Sequence, residues 1–259
     1  RTRSEFGELA GLLAEGLHSS ATEERAFQIA ERLANATYPT YKFSEFGRTW
    51  LDDETFRSLY ERFMPPGNTN WHALDRRYML AQSIKLCGNV LGDTAECGSY
   101  QGATSYLICA HTAADYSGFD RHHHIFDSFA GLSEPQTYDG NYWTTGNLAA
   151  TEAEVRQALS EFDAYSIYPG WIPVRFSEVA DKQFAFVHID VDLYQPTRDS
   201  IEFFYPRLNP GGILLMDDYG FRSCPGATLA ADEFLAEKPE QIVHLPTGQG
   251  LVMKATKEG

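Results

Sequence analysis

Apolar positions at the start of the chain recur at helical spacing. Phe6, Leu9, Leu12, Leu13 and Leu17 fall on one helix face, and Ser20 with Glu23 makes a capping box ahead of Phe27, Ile29 and Leu33. The stretch 35–50 is aromatic and irregular, 52–63 predicts a short helix, and Met64-Pro65-Pro66-Gly67-Asn68 is a strong break. Residues 1–70 therefore read as a helical appendage with too few apolar side chains for its own core. From Trp71 the pattern changes to alternating helix and short apolar strand, which predicts a doubly wound parallel sheet over 71–259. Helices are expected at 74–86, 102–112, 151–162, 197–208 and 226–236, and strands at 93–97, 123–127, 172–175, 184–189 and 212–216. The run Phe184-Ala185-Phe186-Val187-His188-Ile189 has the near-continuous apolar character of a strand covered on both faces. Segments 241–245 and 250–254, joined by Pro246-Thr247-Gly248-Gln249, predict a closing hairpin.

Composition narrows the partners. The 259 residues carry 21 basic and 36 acidic side chains, a net charge of −15, which opposes nucleic-acid backbones and anionic membrane surfaces and favours a small neutral or cationic ligand. Four scattered cysteines with no C-x-x-C pair point to a reducing compartment, and the chain shows neither a signal-peptide core nor an apolar run of membrane-spanning length. A cytoplasmic protein is the expectation.

Three stretches carry candidate chemistry. The turn Glu96-Cys97-Gly98-Ser99-Tyr100-Gln101-Gly102 follows the first sheet strand, with an acidic strand end and glycines that let backbone approach a ligand. It departs from G-x-G-x-x-G, and its carboxylate disfavours a pyrophosphate and suits a cationic amino-acid headgroup. Alone it reads equally well as an ordinary turn. Asp127, ending the next strand, is placed to accept ribose hydroxyls, although on its own it also fits a loop residue or a helix cap. Together the two sites suggest an adenosine cofactor with little or no phosphate, S-adenosylmethionine rather than NAD. The third stretch is a pair of acidic strand ends, Ile189-Asp190-Val191-Asp192 and Met216-Asp217-Asp218-Tyr219. Neighbouring parallel strands would bring these carboxylates into one crevice, where their repulsion calls for a cation; Asp190, Asp217 and Asp218 suit octahedral magnesium. Solvated turn aspartates are the plainer alternative. His122-His123-His124 alternate faces in an extended chain and read as solvated strand entry, His188 as a satisfied core histidine, Cys224 as inert, and Tyr38, Tyr41, Phe43, Phe46 and Trp50 as packing of the appendage.

These residues together resemble the macrocin O-methyltransferase family of class I S-adenosylmethionine-dependent methyltransferases. The resemblance runs from about Leu74 to Lys254, on Gly92–Gly98, Phe126–Phe129, Gly170–Pro173, His188–Tyr194 and Pro206–Tyr219. It implies a Rossmann-like α/β fold with a seven-stranded, mostly parallel sheet, a closing antiparallel hairpin and an N-terminal substrate lid. It also implies magnesium-dependent methylation of a hydroxyl on a small molecule, such as a sugar of a natural-product glycoside. A catechol-type O-methyltransferase and a non-catalytic small-molecule or metal-binding relative are the rivals. Carried over by position, Asp190, Asp217 and Asp218 resemble the magnesium ligands and Asp192 the general base. Glu96, Gly98, Asp127, Ser128, Gly170 and Trp171 resemble the cofactor contacts. A homo-oligomer is within the family's habit. Val191 and Val174 depart from the family's glycine and charged residue, and Val191 crowds the space beside the proposed base.

Overall fold

Every residue of Phe184–Ile189 is buried, a condition a strand meets only at the centre of a sheet covered on both faces. The computed structural model describes residues 11, 52–62, 74–113 and 121–255. The expected helices and capping box of the N-terminal stretch, the aromatic run 35–50 and the break at 64–68 lie outside the described residues. By contacts the chain divides into two units, Arg1–Arg57 and Ser58–Gly259. Of the first, residues 52–57 enter helix α1 (Glu54–Glu61), whose start Asp53 caps by accepting from the Phe56 N–H at 2.9 Å.

The second unit holds the sheet. Its strands are β1 (Asp93–Cys97), β2 (His123–Asp127), β3 (Tyr165–Pro169), β4 (Phe184–Ile189), β5 (Leu208–Met216), β6 (Val243–His244) and β7 (Gly250–Met253), interleaved with helices α2 (Leu74–Leu86), α3 (Ala103–Ala113), α4 (Glu152–Ala158), α5 (Tyr194–Phe204) and α6 (Pro225–Leu235). The spatial order is β3-β2-β1-β4-β5-β7-β6, with β1 to β5 mutually parallel and β7 antiparallel to both β5 and β6. The chain leaves β1 toward β2 and β3 on one side and returns to β4 and β5 on the other, so a crevice opens beyond the carboxyl ends of β1 and β4. Register places the acidic residues there: Cys97 pairs with Ile189 and Ile189 with Met216, so Gly98, Asp190 and Asp217 each take the next step past the same edge.

Phe126, Phe176, Phe184 and Phe204 interlock within the main core, with Phe126 at 4.7 Å from the Tyr168 ring in a parallel stack and 5.0 Å from Phe176 edge-on. Burying four such rings removes enough apolar surface to contribute on the order of 1.5–3 kcal/mol each.

Most elements fall where the apolar pattern puts them, with three instructive differences. The third strand is Tyr165–Pro169 rather than the stretch 172–175. Tyr165–Pro169 is only half-buried at the sheet edge. Residues 171–176 instead turn, with Val174 N–H donating to Trp171 O at 2.9 Å and Phe176 N–H to Pro173 O at 3.0 Å. Pro173 has no N–H to give a ladder, which removes that segment from the sheet. Helix α4 stops at Ala158, earlier than the expected 162, although its start is fixed by the Thr151–Glu154 capping box. Helix α5 starts at Tyr194 and ends at Phe204, because Pro206 interrupts it and Leu208 already belongs to β5.

The long connection between β2 and α4 is fastened by one buried carboxylate. Asp139 accepts from Tyr194 N–H at the first turn of α5 (2.7 Å) and from Gln136 N–H (2.7 Å), and it lies against Gly226 in α6, where a Cβ would collide with it. Among the described residues, no helix is long and apolar enough to cross a membrane.

Candidate active site

Beyond the ends of β1, β2, β4 and β5 lies a cavity of about 840 Å³, within the range of pockets that hold small molecules and cofactors. After β1 and β2 its wall is formed by Gly98, Tyr100, Asp127 and Ser128, joined by Trp171 from the turn after β3. After β4 and β5 come Asp190, Asp192 and Asp218, with Trp143, Leu148 and Phe221 adding apolar surface.

The β1 turn depends on glycine in a specific way. Gly98 has φ +83°, and a Cβ there would overlap the Asp190 carbonyl oxygen, so the glycine turn and the acidic strand end meet backbone to backbone. Asp127 fixes the turn's shape: its Oδ2 accepts from Ser99 N–H (2.8 Å) and Tyr100 N–H (3.0 Å), and its Oδ1 from Phe129 N–H (2.7 Å). Ser128 Oγ donates to Gly131 O at 2.9 Å. Gly170 does not reach the cavity wall, but its N–H donates to Asp127 O at 2.9 Å and holds the Trp171 turn beside β2.

Glu96 requires a correction. It is fully buried and absent from the cavity wall, so it is not placed to touch a cofactor headgroup. Its register partner on β4 is His188, whose Nδ1 lies 2.8 Å from Glu96 Oε1, and Ser105 Oγ donates to its other oxygen. His188 is a satisfied core histidine, as expected, with its Nε2 3.5 Å from Asp217 Oδ1. Burial opposes its charge, but hydrogen bonds and charge from Asp217 and Glu96 outweigh that and push it up to about 10, so it is a buried cation at neutral pH.

The four aspartates separate into two groups. One ligand atom from each of His188, Asp190 and Asp217 lies within 4.8 Å of the others, and the same holds for Asp192, Asp218 and Cys224. Asp217 is fully buried, does not line the cavity, and is saturated: Gln249 Nε2 donates to it at 2.7 Å, His188 approaches it, and Arg76 forms a tight ion pair with it. Of the expected magnesium set Asp190, Asp217 and Asp218, Asp190 and Asp218 line the cavity, while Asp217 is turned inward and grouped with Asp190. Burial would raise the Asp217 carboxyl, but His188, Arg76 and Arg77 hold it well below the usual carboxylate range.

The other three move the opposite way. Burial and the charge of Asp217 raise Asp190, which Arg77 Nη1 offsets in part from 3.5 Å. Burial and the charge of Asp190 push Asp192 up to about 7, and burial with the charges of Asp192 and Asp190 raises Asp218. Asp192 also has φ +60°, a left-handed backbone that aspartate tolerates, and its N–H donates to Asp218 Oδ2 at 2.8 Å.

The apolar pattern did not single out Arg76, Arg77, Gln249 or Trp143. A signal for the arginines exists in the sequence: so many strand-end carboxylates need countercharge, and Arg76-Arg77 opens the helix that precedes β1. Counted with all groups ionised, Glu96, Asp190, Asp192, Asp217 and Asp218 still exceed Arg76, Arg77 and His188 by two negative charges. That excess suits a divalent cation, and hard carboxylate oxygens suit magnesium.

The histidine tract also departs from expectation. His123 and His124 are buried rather than solvated. The faces do alternate: His124 Nε2 lies 3.1 Å from Asp93 and its Nδ1 3.0 Å from Tyr168 Oη, while His123 Nδ1 pairs with Thr94 Oγ1 at 2.9 Å on the opposite face. Apolar neighbours on both sides of a central sheet account for the burial.

A seven-stranded sheet in this order, with a cavity at its switch point and a glycine turn after β1, defines a Rossmann-like methyltransferase fold. Residues 75–243 match the macrocin O-methyltransferase family, and the chain belongs to it. It is 28% identical over 153 residues to the 8-demethyl-8-(2,3-dimethoxy-alpha-L-rhamnosyl)-tetracenomycin-C 4'-O-methyltransferase of Streptomyces olivaceus, a match covering 55% of this chain and 58% of that protein. It is 29% identical over 173 residues to the demethyldecarbamoylnovobiocin O-methyltransferase of Streptomyces niveus, covering 60% and 65%. The chain thus spans 58% and 65% of the lengths of these curated relatives. Among solved structures, the O-methyltransferase NovP superposes with a TM-score of 0.61 at 23% identity, covering 78% of this chain and 88% of NovP. The calicheamicin methyltransferase CalS11 superposes with a TM-score of 0.64 at 18% identity, covering 91% and 98%.

Proposed function

We propose that this protein transfers a methyl group from S-adenosylmethionine to a hydroxyl of a sugar in a natural-product glycoside, with magnesium as the resident metal. One observation carries the reading: the glycine turn with its Asp127 clamp and the carboxylates Asp190, Asp192 and Asp218 border the same cavity. The family match supports methyl transfer to oxygen, and the tetracenomycin relative is named for a rhamnosyl glycoside.

The reaction is a displacement at the sulfonium methyl, and the protein's part is alignment and proton removal. Asp127 and the Gly98 turn would seat the cofactor, while Trp171 offers an aromatic face. Asp190 and Asp218, with Asp217 beside Asp190, would hold magnesium, whose chemistry is to polarise the acceptor oxygens and orient them. Asp192 accepts the acceptor's proton, a role matched by a carboxyl pushed up to about 7 in a site where like charges crowd it. Arg76 and Arg77 pair with Asp217 and Asp190 beside it.

The test is incubation of the full chain with methyl-labelled S-adenosylmethionine, magnesium and a panel of deoxysugar glycosides and catechols, read by mass spectrometry. Label on a sugar hydroxyl is expected. Label confined to catechols, or no cofactor binding by calorimetry, would overturn the proposal.

A further inference from the structure

We infer, resting on the sugar methylation proposed above, that the indole of Trp143 is the surface on which the acceptor's sugar ring stacks, and that Cys224 positions it. Trp143 is half-buried and borders the cavity, and its Nε1 donates to Cys224 Sγ at 3.3 Å. Cys224 Sγ in turn lies 3.5 Å from Oδ1 of Asp192, the proposed base. Two successive contacts thus separate the indole from the atom that takes the acceptor's proton. A hydroxyl within reach of Asp192 belongs to a ring that extends to Trp143, so the occupant is the sugar being methylated and not a distant aglycone.

Among the described residues, the other aromatic side chains bordering the cavity are committed elsewhere. Phe126 is buried and stacks on Tyr168 at 4.7 Å. The Arg76 guanidinium lies 4.8 Å from the centre of the Phe221 ring. Tyr100 donates its N–H to Asp127, and Trp171 follows Gly170, whose N–H is held by the Asp127 carbonyl, so both stand on the proposed cofactor side. Trp143 is the aromatic side chain that joins the cavity wall to the carboxylate end.

The match is chemical as well as spatial. A pyranose carries C–H bonds on its face and hydroxyls around its rim, while an indole offers a flat, electron-rich face and a single polar edge. With Nε1 bonded to sulfur, the polar edge of Trp143 is spent inside the protein and its carbon surface is left for the cavity. Burial and the charges of Asp218 and Asp192 hold the Cys224 thiol well above its usual range, so the sulfur accepts from Trp143 while its S–H faces Asp192. The ring is also preset. Tyr142 packs against it edge-on at 4.8 Å, and the next residue, Thr144, donates through its N–H and its Oγ1 to Asn147 Oδ1, both at 2.9 Å. A surface fixed before binding spares the complex the cost of ordering it.

The experiment is a saturation-transfer NMR titration of the full chain, loaded with magnesium and S-adenosylhomocysteine, with methyl α-L-rhamnopyranoside and phenyl α-L-rhamnopyranoside. No turnover is involved, so sugar binding is read separately from methyl transfer, which labelled S-adenosylmethionine reports in a parallel assay of the parent. The parent should bind the methyl glycoside, with saturation strongest on the C–H protons of one ring face. Trp143→Ala should weaken that binding roughly tenfold, and Trp143→Phe, which keeps an aromatic face, by no more than about threefold. Cys224→Ala should weaken it about threefold and add nothing in the Trp143→Ala background, because its effect passes through the indole. Unchanged calorimetric affinity for S-adenosylhomocysteine in each variant shows that the fold is kept. Failure of the parent to bind the methyl glycoside, equal losses in Trp143→Ala and Trp143→Phe, no loss in Trp143→Ala or in Cys224→Ala, or a loss confined to the phenyl glycoside overturns the inference; sugar binding that depends on Trp143 without methyl transfer overturns the proposed function and leaves the sugar site standing.

Discussion

Replacing Arg76 by methionine removes the guanidinium that lies over the Phe221 ring and leaves Asp217 without its ion-pair partner. Asp217 is fully buried, and removing one partner of a buried ion pair costs about 3–5 kcal/mol. The lower end, about 3 kcal/mol, applies here, because His188 and Gln249 remain on the same carboxylate. For a domain of this size that corresponds to a fall in Tm of roughly 6–12 °C. The sign with pH follows from the carboxylate. A folded-state pKa held below the unfolded value supplies stability above about pH 3.9, and that stability is lost as pH falls through the folded value. The deficit of Arg76→Met should therefore be full at pH 7 and shrink in strong acid. The assay is urea unfolding in EDTA of the parent, Arg76→Met, Asp217→Asn and the double variant. A coupling energy of about 2 kcal/mol or more is expected from the cycle. Additive effects within about 0.5 kcal/mol would show that Arg76 does not compensate Asp217, and the charge accounting of the site would fail with it.

Other outcomes follow from the same geometry. Gly98→Ala should lose at least about 2 kcal/mol in urea unfolding and most of its calorimetric affinity for S-adenosylmethionine, since the methyl adds left-handed strain to an overlap with backbone; parent-like values would contradict the close approach. Asp192→Asn should bind S-adenosylmethionine normally but lose about 10²–10⁴-fold in kcat, and retention of kcat would remove its role as base. Burial lowers His123 to about 4, so stability should fall as pH drops from about 6.5 toward 4, by up to roughly 3 kcal/mol. An NMR titration of the His123 ring centred near 6.5 would refute that burial.

The sheet was legible because parallel strands announce themselves as apolar runs: β1, β2 and β4 begin and end where the pattern puts them. The edge strand β3 was not, since its Tyr-Ser-Ile-Tyr alternation is only half-buried and the neighbouring Trp171-Ile172-Pro173-Val174 is more apolar while lying in a turn. At the site, Asp127, Asp190, Asp192 and Asp218 were readable as strand ends that register alone carries to one edge. The inward turn of Asp217 and Glu96 was not, because adjacent residues look alike in sequence and only the pleat decides which faces the cavity. Arg76 and Gln249 come from a helix far upstream and from the hairpin turn, and no local pattern links either to Asp217.

The clasp made by Asp139 separates attachment from content in the connection that precedes α4. With the first turns of α5 and α6 gripping a single side chain, and Leu132 exchanging backbone hydrogen bonds with Gly146 and Asn147, the span carrying Trp143 and Leu148 is pinned at both ends, and its cavity-facing side chains are the part left to vary. An engineer seeking a new acceptor could vary the cavity-facing Leu148 while leaving Asp139, Gly226, Gly146 and Asn147 alone, and expect the scaffold to accept the change.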